Sequence, residues 1–133
     1  MSSKLIIIVV SIFFISCNED KLEPTVLTDG TYTGFFARSS PNAKYQASDV
    51  TLVIKGDTFE GGSSIQKYPA ICKGTFERIG QKIEFKNSCM WTAEFDWSYI
   101  LTGEFNISSD GEKIIISRSY GKDTYDTYTL IKQ

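Results

Sequence analysis

The sequence predicts an all-β protein: one small antiparallel up-and-down barrel of about eight strands. Three observations carry that prediction. Short segments alternate apolar and polar residues with a period of two, as in Val50, Leu52 and Ile54 against Thr51, Val53 and Lys55, the mark of a half-buried strand. Tight-turn pairs separate those segments: Gly56-Asp57, Gly80-Gln81, Asp110-Gly111 and Gly121-Lys122. No stretch carries a helical stripe of useful length, and the three prolines all fall outside the alternating segments.

Taken in order, strands are expected at 30–37, 48–55, 57–62, 72–79, 81–87, 97–107, 112–119 and 124–132. The fifth alternates Ile83 and Phe85 with Lys82, Glu84 and Lys86. A short helical turn fits only in 88–96. Most connections are a few residues long, which favours a closed meander, since closure removes sticky edges; a two-sheet sandwich is the competing architecture. Gly34, Gly61, Gly74 and Gly103 fall within strands, where glycine is costly unless a bend or a close approach needs it. Inward candidates are dominated by bulky residues, Tyr32, Phe36, Phe59, Phe76, Phe85, Tyr99, Phe105 and Tyr128, with Val50, Leu52, Ile54, Ile83, Leu101, Ile114, Ile116 and Leu130 between them. An eight-stranded lumen is filled by side chains or holds one small ligand, and the sequence is compatible with both.

Composition excludes several classes of function. A chain of 133 residues holds one domain. With 14 basic and 16 acidic side chains interspersed, it lacks the clustered basic field of a nucleic-acid surface, so no nucleic-acid partner is expected. The absence of histidine removes Ser-His and Cys-His pairs and imidazole metal sites.

The first segment is an address. Lys4 precedes an apolar run, Leu5 to Ile15, interrupted only by Ser11; the run is too short to span a bilayer and fits a secretory core. It ends at Ser16-Cys17 before the polar Asn18-Glu19-Asp20-Lys21. This arrangement resembles a bacterial lipoprotein signal, in which the cysteine is acylated and becomes the new N-terminus. The resemblance implies residues 1–16 as signal peptide, Cys17 as the lipidated anchor, 17–28 as anchor plus polar tether, and 29–133 as the barrel. Asn18, where an aspartate is associated with inner-membrane retention, implies an outer-membrane location. The Glu19-Asp20 pair resembles the export tag of surface lipoproteins in Bacteroidetes-type bacteria. Export into an oxidising compartment leaves Cys72 and Cys89 to form one intrachain bridge.

The segment Gly30-Thr31-Tyr32-Thr33-Gly34 resembles the opening strand of lipocalins, with Tyr32 where tryptophan is usual. Val50-x-Leu52-x-Ile54-x-Gly56-Asp57-x-Phe59-x-Gly61, Leu101-x-Gly103-x-Phe105 and the closing Tyr128-x-Leu130 are similar to small lipocalin-like (calycin-type) lipoproteins. The resemblance spans about residues 30–132 and implies a barrel that binds a small apolar or amphipathic molecule without catalysis.

The chemically richest stretch is Cys89-Met90-Trp91-Thr92-Ala93-Glu94-Phe95-Asp96-Trp97. If extended, it sets Glu94 and Asp96 on one face and Ala93, Phe95 and Trp97 on the other. Two uses follow. Trp91, Trp97 and Tyr99, with Glu94 and Asp96, form an aromatic-acidic lip at a barrel mouth where rings stack on a ligand and carboxylates accept hydrogen bonds, Tyr32 and Phe36 contributing from the first strand. Alternatively the tryptophans cap the core and the carboxylates are solvated or paired with Lys73, Lys86 or Arg78. Nothing marks a glycosidase cleft around the acid pair. Asp110, Glu112, Asp123 and Asp126 do not follow a calcium-loop pattern, and no phosphate-cradling glycine loop occurs. No catalytic residue, metal or cofactor is expected. Tyr45, Tyr120, Tyr125 and Tyr128 flank polar loops, and 38–48 is a long polar connection able to act as a lid or an ordinary loop. Two functions are carried forward. One is an outer-membrane carrier of a small apolar or amphipathic ligand, with cell-surface exposure implied by the Glu19-Asp20 resemblance; the other is a filled barrel serving as an interaction or envelope-structural module with a protein partner.

Overall fold

A computed structural model of the chain describes residues 25–133. Cys17, the signal peptide and most of the tether lie outside the described residues. Eight strands follow one another: β1 (Gly30–Ser39), β2 (Ser48–Lys55), β3 (Thr58–Ser63), β4 (Lys73–Ile79), β5 (Lys82–Asn87), β6 (Gly103–Asp110), β7 (Lys113–Tyr120) and β8 (Thr124–Lys132), with one 3-10 turn at Trp97–Tyr99. Every strand pairs with its sequence neighbours, and β1 pairs antiparallel with β8, so the sheet closes into an up-and-down barrel. The sandwich alternative is excluded. Because all pairing is satisfied within residues 30–132, the barrel is a self-contained folding unit with no unpaired edge.

The two ends differ. At one end, two-residue turns at Gly56-Asp57, Gly80-Gln81 and Gly111-Glu112 join the strands; Gly56 and Gly80 sit at φ 59° and 60°, a conformation that costs glycine little. Thr25 and Leu27 arrive at this end, where Thr25 Oγ1 donates to Ser109 Oγ at 3.3 Å and Leu27 is buried. The opposite end, the mouth, carries the longer connections 40–47, 64–72 and 88–102. Close approach rather than a turn explains Gly34: a Cβ there would lie 1.8 Å from the Thr129 carbonyl oxygen of β8.

Two sequence expectations are corrected here. The strand expected over 97–107 is a 3-10 turn followed by β6, which starts at Gly103 and runs on to Asp110. Asp96 caps the turn by accepting from Ser98 N at 2.9 Å, and 99–101 instead bridges Ala70 in parallel, through Ala70 N to Tyr99 O and Leu101 N to Ala70 O. Among the described residues the one helical turn therefore falls just after 88–96, the interval expected to hold it. Gly103, expected inside a strand, begins one at φ 91°.

Alternation fills the lumen. Tyr32, Phe36, Phe85, Phe105, Ile54, Ile83, Ile116 and Leu130 are almost wholly enclosed. Phe85 meets Phe59 and Phe105 edge-on at 5.2 and 5.7 Å, and Phe36 meets Tyr128 at 4.9 Å. Phe76, Tyr99 and Ile114 are only partly buried, while Leu27, Ala70, Ile71, Ile100 and Ile107 join the core from outside the expected set. The interior void, lined by Val50, Leu52, Ile71, Phe85, Leu101, Ile116, Tyr128 and Leu130, measures about 10 Å³. One water molecule needs about that much and a small ligand needs roughly 300 Å³ or more. The lumen is a packed core.

Candidate functional site

With the lumen filled, room for a ligand lies in open surface depressions. Among them are one of about 570 Å³ beside Leu27, Gly56 and Phe76, one of about 490 Å³ across β3 and β4, and one of about 450 Å³ where the expected site residues gather, at the mouth. Loops 64–72 and 88–102 meet there and are joined by the Cys72–Cys89 disulfide, Cα atoms 6.3 Å apart. Side chains fix both loops. Ser48 Oγ accepts from Ile65 N at 3.1 Å, and Ser63 Oγ lies 2.8 and 2.7 Å from the Ile65 and Pro69 carbonyls. Asn87 clasps Cys89 twice, Nδ2 donating to its carbonyl at 2.8 Å and Oδ1 accepting from its N–H at 3.2 Å. In the first loop Lys67 takes the left-handed conformation, φ 58°, ahead of a cis Tyr68-Pro69 peptide.

Between the loops lies an open cleft of about 450 Å³ lined by Gln66, Lys67, Tyr68, Glu94, Phe95, Asp96 and Tyr99. The Lys67 ammonium donates to Glu94 Oε1 at 2.7 Å and to Thr92 Oγ1 at 3.1 Å, and stands 5.0 Å from the Phe95 ring centroid. The bond from Lys67, with help from the Thr92 hydroxyl, lowers the Glu94 carboxyl to about 2. Hydrogen bonds from Ser98 hold Asp96 below the usual carboxylate range, and Arg38 Nη1 at 3.7 Å adds to this. Tyr68 and Tyr99 meet at 4.8 Å, and burial raises both phenols above their ordinary value.

Beneath the cleft sits a buried charged layer. Arg38 Nε and Nη2 donate to the two Asp126 carboxylate oxygens at 2.6 and 2.8 Å. Both residues are buried, Asp126 at 1% exposure. The bond to Asp126 raises the Arg38 guanidinium further above its ordinary value, so it stays a cation. Arg38 also lies 4.0 Å from the Tyr99 ring centroid and donates to Ser98 Oγ. The Ser98 carbonyl accepts from Arg118 Nη2 at 2.8 Å and from the Tyr120 hydroxyl at 3.1 Å. Arginines stacked on aromatic faces and forked onto a carboxylate thus separate the apolar core from the open mouth.

The expected site residues divide. Glu94, Asp96 and Tyr99 line one cleft, and Phe36 supports it from below, 5.3 Å from Tyr68 and 6.2 Å from Tyr99. Trp91 backs the cleft wall by packing edge-on to Phe95 at 5.7 Å. Trp97 is 55% exposed, its indole N–H donating to Thr92 O at 2.8 Å. Tyr32 is not at the mouth: it is fully buried toward the tight-turn end, its hydroxyl accepting from Thr28 N and donating to Thr28 O at 3.0 Å.

The carboxylates are also rearranged. Residues 93–95 bend instead of extending, so Glu94 and Asp96 turn to different partners. Those partners are Lys67 and Arg38, not Lys73, Lys86 or Arg78. The long connection expected over 38–48 is shortened because β1 runs to Ser39 and Arg38 points inward.

Sequence reasoning missed Arg38, Asp126, Arg118, Lys67 and Tyr68. A signal existed for two of them. Arg38 shares parity with Tyr32 and Phe36, Asp126 shares parity with Tyr128 and Leu130, and register sets them directly opposite one another. Among the described residues, no group of three or more His, Cys, Asp or Glu side chains gathers where a metal ion could sit. Comparison with protein-family models, with curated proteins and with solved structures returns no match, so the reading of this cleft rests on its own geometry.

Proposed function

We propose that the protein is an outer-membrane lipoprotein, anchored through Cys17, whose lipocalin-like barrel binds a small amphipathic ligand without catalysis. The ligand site in this reading is the mouth cleft, not the lumen. The observation that carries it is the cleft itself: about 450 Å³ between two disulfide-joined loops, with aromatic walls and charged groups side by side. That pairing of apolar surface and few polar groups is what small-molecule sites use. The chain enters the barrel at the tight-turn end, through Thr25 and Leu27. A tether from Cys17 would therefore reach the end opposite the cleft, leaving the mouth facing away from the membrane.

The test is native mass spectrometry of the chain recovered from its host with Cys17→Ser. A mass beyond the polypeptide that departs on denaturation, and that is lost in a Tyr99→Ala variant, is the expected result. A bare mass together with no cleft response to amphipathic probes would overturn it. Labelled palmitate incorporated by the native chain and not by Cys17→Ser tests the anchor; incorporation by both would refute it. A second reading, a filled barrel acting as an interaction module, is favoured by the packed lumen and by Met90 and Trp97, 98% and 55% exposed on the mouth loop. Exposed aromatics and methionine are common at protein interfaces. A stable complex with an envelope protein, lost on Trp97→Ala, would decide for it.

A further inference from the structure

We propose that the mouth cleft recognises an organic ammonium ion attached to an apolar body, and that Lys67 is its built-in competitor. This rests on the reading of the cleft as a ligand site and names the class of ligand. The cleft already solves the problem of holding an ammonium group, because it holds one of its own. The Lys67 Nζ has a carboxylate oxygen at 2.7 Å, a hydroxyl oxygen at 3.1 Å and the face of Phe95 at 5.0 Å. A carboxylate beside an aromatic face is the chemistry that attracts cationic nitrogen.

Charge at the mouth is balanced: Lys67, Arg38 and Arg118 face Glu94, Asp96 and Asp126, so an incoming ammonium takes the place of Lys67 and leaves that balance unchanged. Arg38 bonds mainly to Asp126 and stands 3.7 Å from Asp96, so Glu94 is the carboxylate that Lys67 alone occupies. The Tyr68 and Tyr99 rings, with Phe36 behind them, supply the apolar floor. The backbone of Lys67 adds an independent observation. A lysine at φ 58° occupies a region that side chains other than glycine enter at a cost. Such outliers cluster at ligand clamps and switch regions. Here the strained residue is the one whose side chain fills the cleft, and swinging that side chain out frees Glu94 and Phe95 together.

Three probes of similar size separate the possibilities: benzylammonium, benzyl alcohol and benzoate, titrated into residues 25–133 and followed by amide chemical shifts. The cation is expected to move Lys67, Tyr68, Phe95 and Tyr99, and to bind at least about tenfold more tightly than benzoate, the equivalent of about 1.4 kcal/mol. Lys67→Met, which keeps the apolar stem and removes the rival charge, should tighten the cation several-fold; Glu94→Gln and Asp96→Asn should each weaken it several-fold. If benzyl alcohol or benzoate moves the same residues at equal or lower concentration, the ammonium assignment falls while the cleft remains a ligand site. Weaker cation binding in Lys67→Met also overturns the competitor role. If none of the three probes moves any cleft residue at millimolar concentration, the ligand reading falls with it.

Discussion

Removing Asp126 should be among the most damaging single changes this barrel can suffer. In an Asp126→Ala variant, Arg38 loses two short charge-assisted hydrogen bonds, at 2.6 and 2.8 Å, while remaining buried at 8% exposure. Each hydrogen bond to a charged group contributes about 1.5–3 kcal/mol. Arg38 keeps the Ser98 hydroxyl at 3.0 Å and the Tyr99 face at 4.0 Å, which offset part of the loss. Breaking a buried pair by deleting one partner costs about 3–5 kcal/mol, and we place this variant near 4. For a domain of this size that is a fall in Tm of roughly 15–20 °C. Because the deficit comes from an orphaned charge and not from lost volume, Arg38→Met with Asp126→Leu should recover at least half of it. Thermal and urea unfolding followed by far-UV circular dichroism on the two variants and the parent gives the answer. An Asp126→Ala variant within about 1 kcal/mol of the parent would refute the reasoning, as would a double variant no more stable than the single.

Other outcomes follow from the same geometry. The Cys72–Cys89 bridge spans a sequence separation of 17; reduction, or replacement of both cysteines by alanine, should lower stability by about 3 kcal/mol on the loop-entropy model, read from urea midpoints. Gly34→Ala should cost about 3 kcal/mol or more, because its Cβ would stand 1.8 Å from a backbone oxygen, whereas Gly62→Ala, with open space at that position, should stay within about 0.5 kcal/mol; paired melts compare them. The Glu94 carboxyl, lowered to about 2 by Lys67, stays ionised through mild acid. Since its folded value lies below its unfolded one, its contribution is complete above the unfolded value and disappears as pH falls through about 2. The carboxyl carbon shift of Glu94 should titrate there, and in Lys67→Met it should titrate closer to the ordinary glutamate value.

The barrel was legible in the sequence because its residues obey one rule. In 48–55 and 82–86 the alternation of burial follows the alternation of side chains. Glycines mark the turns that need their freedom. The rule fails where chain geometry is set by distant groups. Tyr99 and Leu101 share strand parity and are enclosed to different degrees, yet they belong to a 3-10 turn and a parallel bridge to Ala70. Local pattern cannot distinguish that from a strand. For the site, Glu94, Asp96 and Tyr99 stood out by composition, whereas Lys67 and Tyr68 lie in a segment without periodicity. The Ser48 and Ser63 hydroxyls and the disulfide bring that segment to the mouth, and none of these contacts has a local signature. Arg38 and Asp126 were hidden differently: parity placed both inward, but charged residues are so seldom buried that only their shared register explains them.

The β1–β8 seam also has a bearing on how the chain folds as it is made. Seven consecutive strand pairs can zip as soon as both of their strands exist, but β1 must wait for the nine-residue β8 before its second edge is covered. The contact between Gln133 and Thr33 joins positions 100 residues apart. Pairings of such long sequence separation are the slow ones, because the loop must be closed before the contact rewards it. A nascent chain therefore carries an open, curling sheet with Phe35 and Phe36 at its bare leading edge until β8 is free to pair. Ring closure waits on β8, and removal of that strand would leave an aggregation-prone ribbon instead of a slightly shorter barrel.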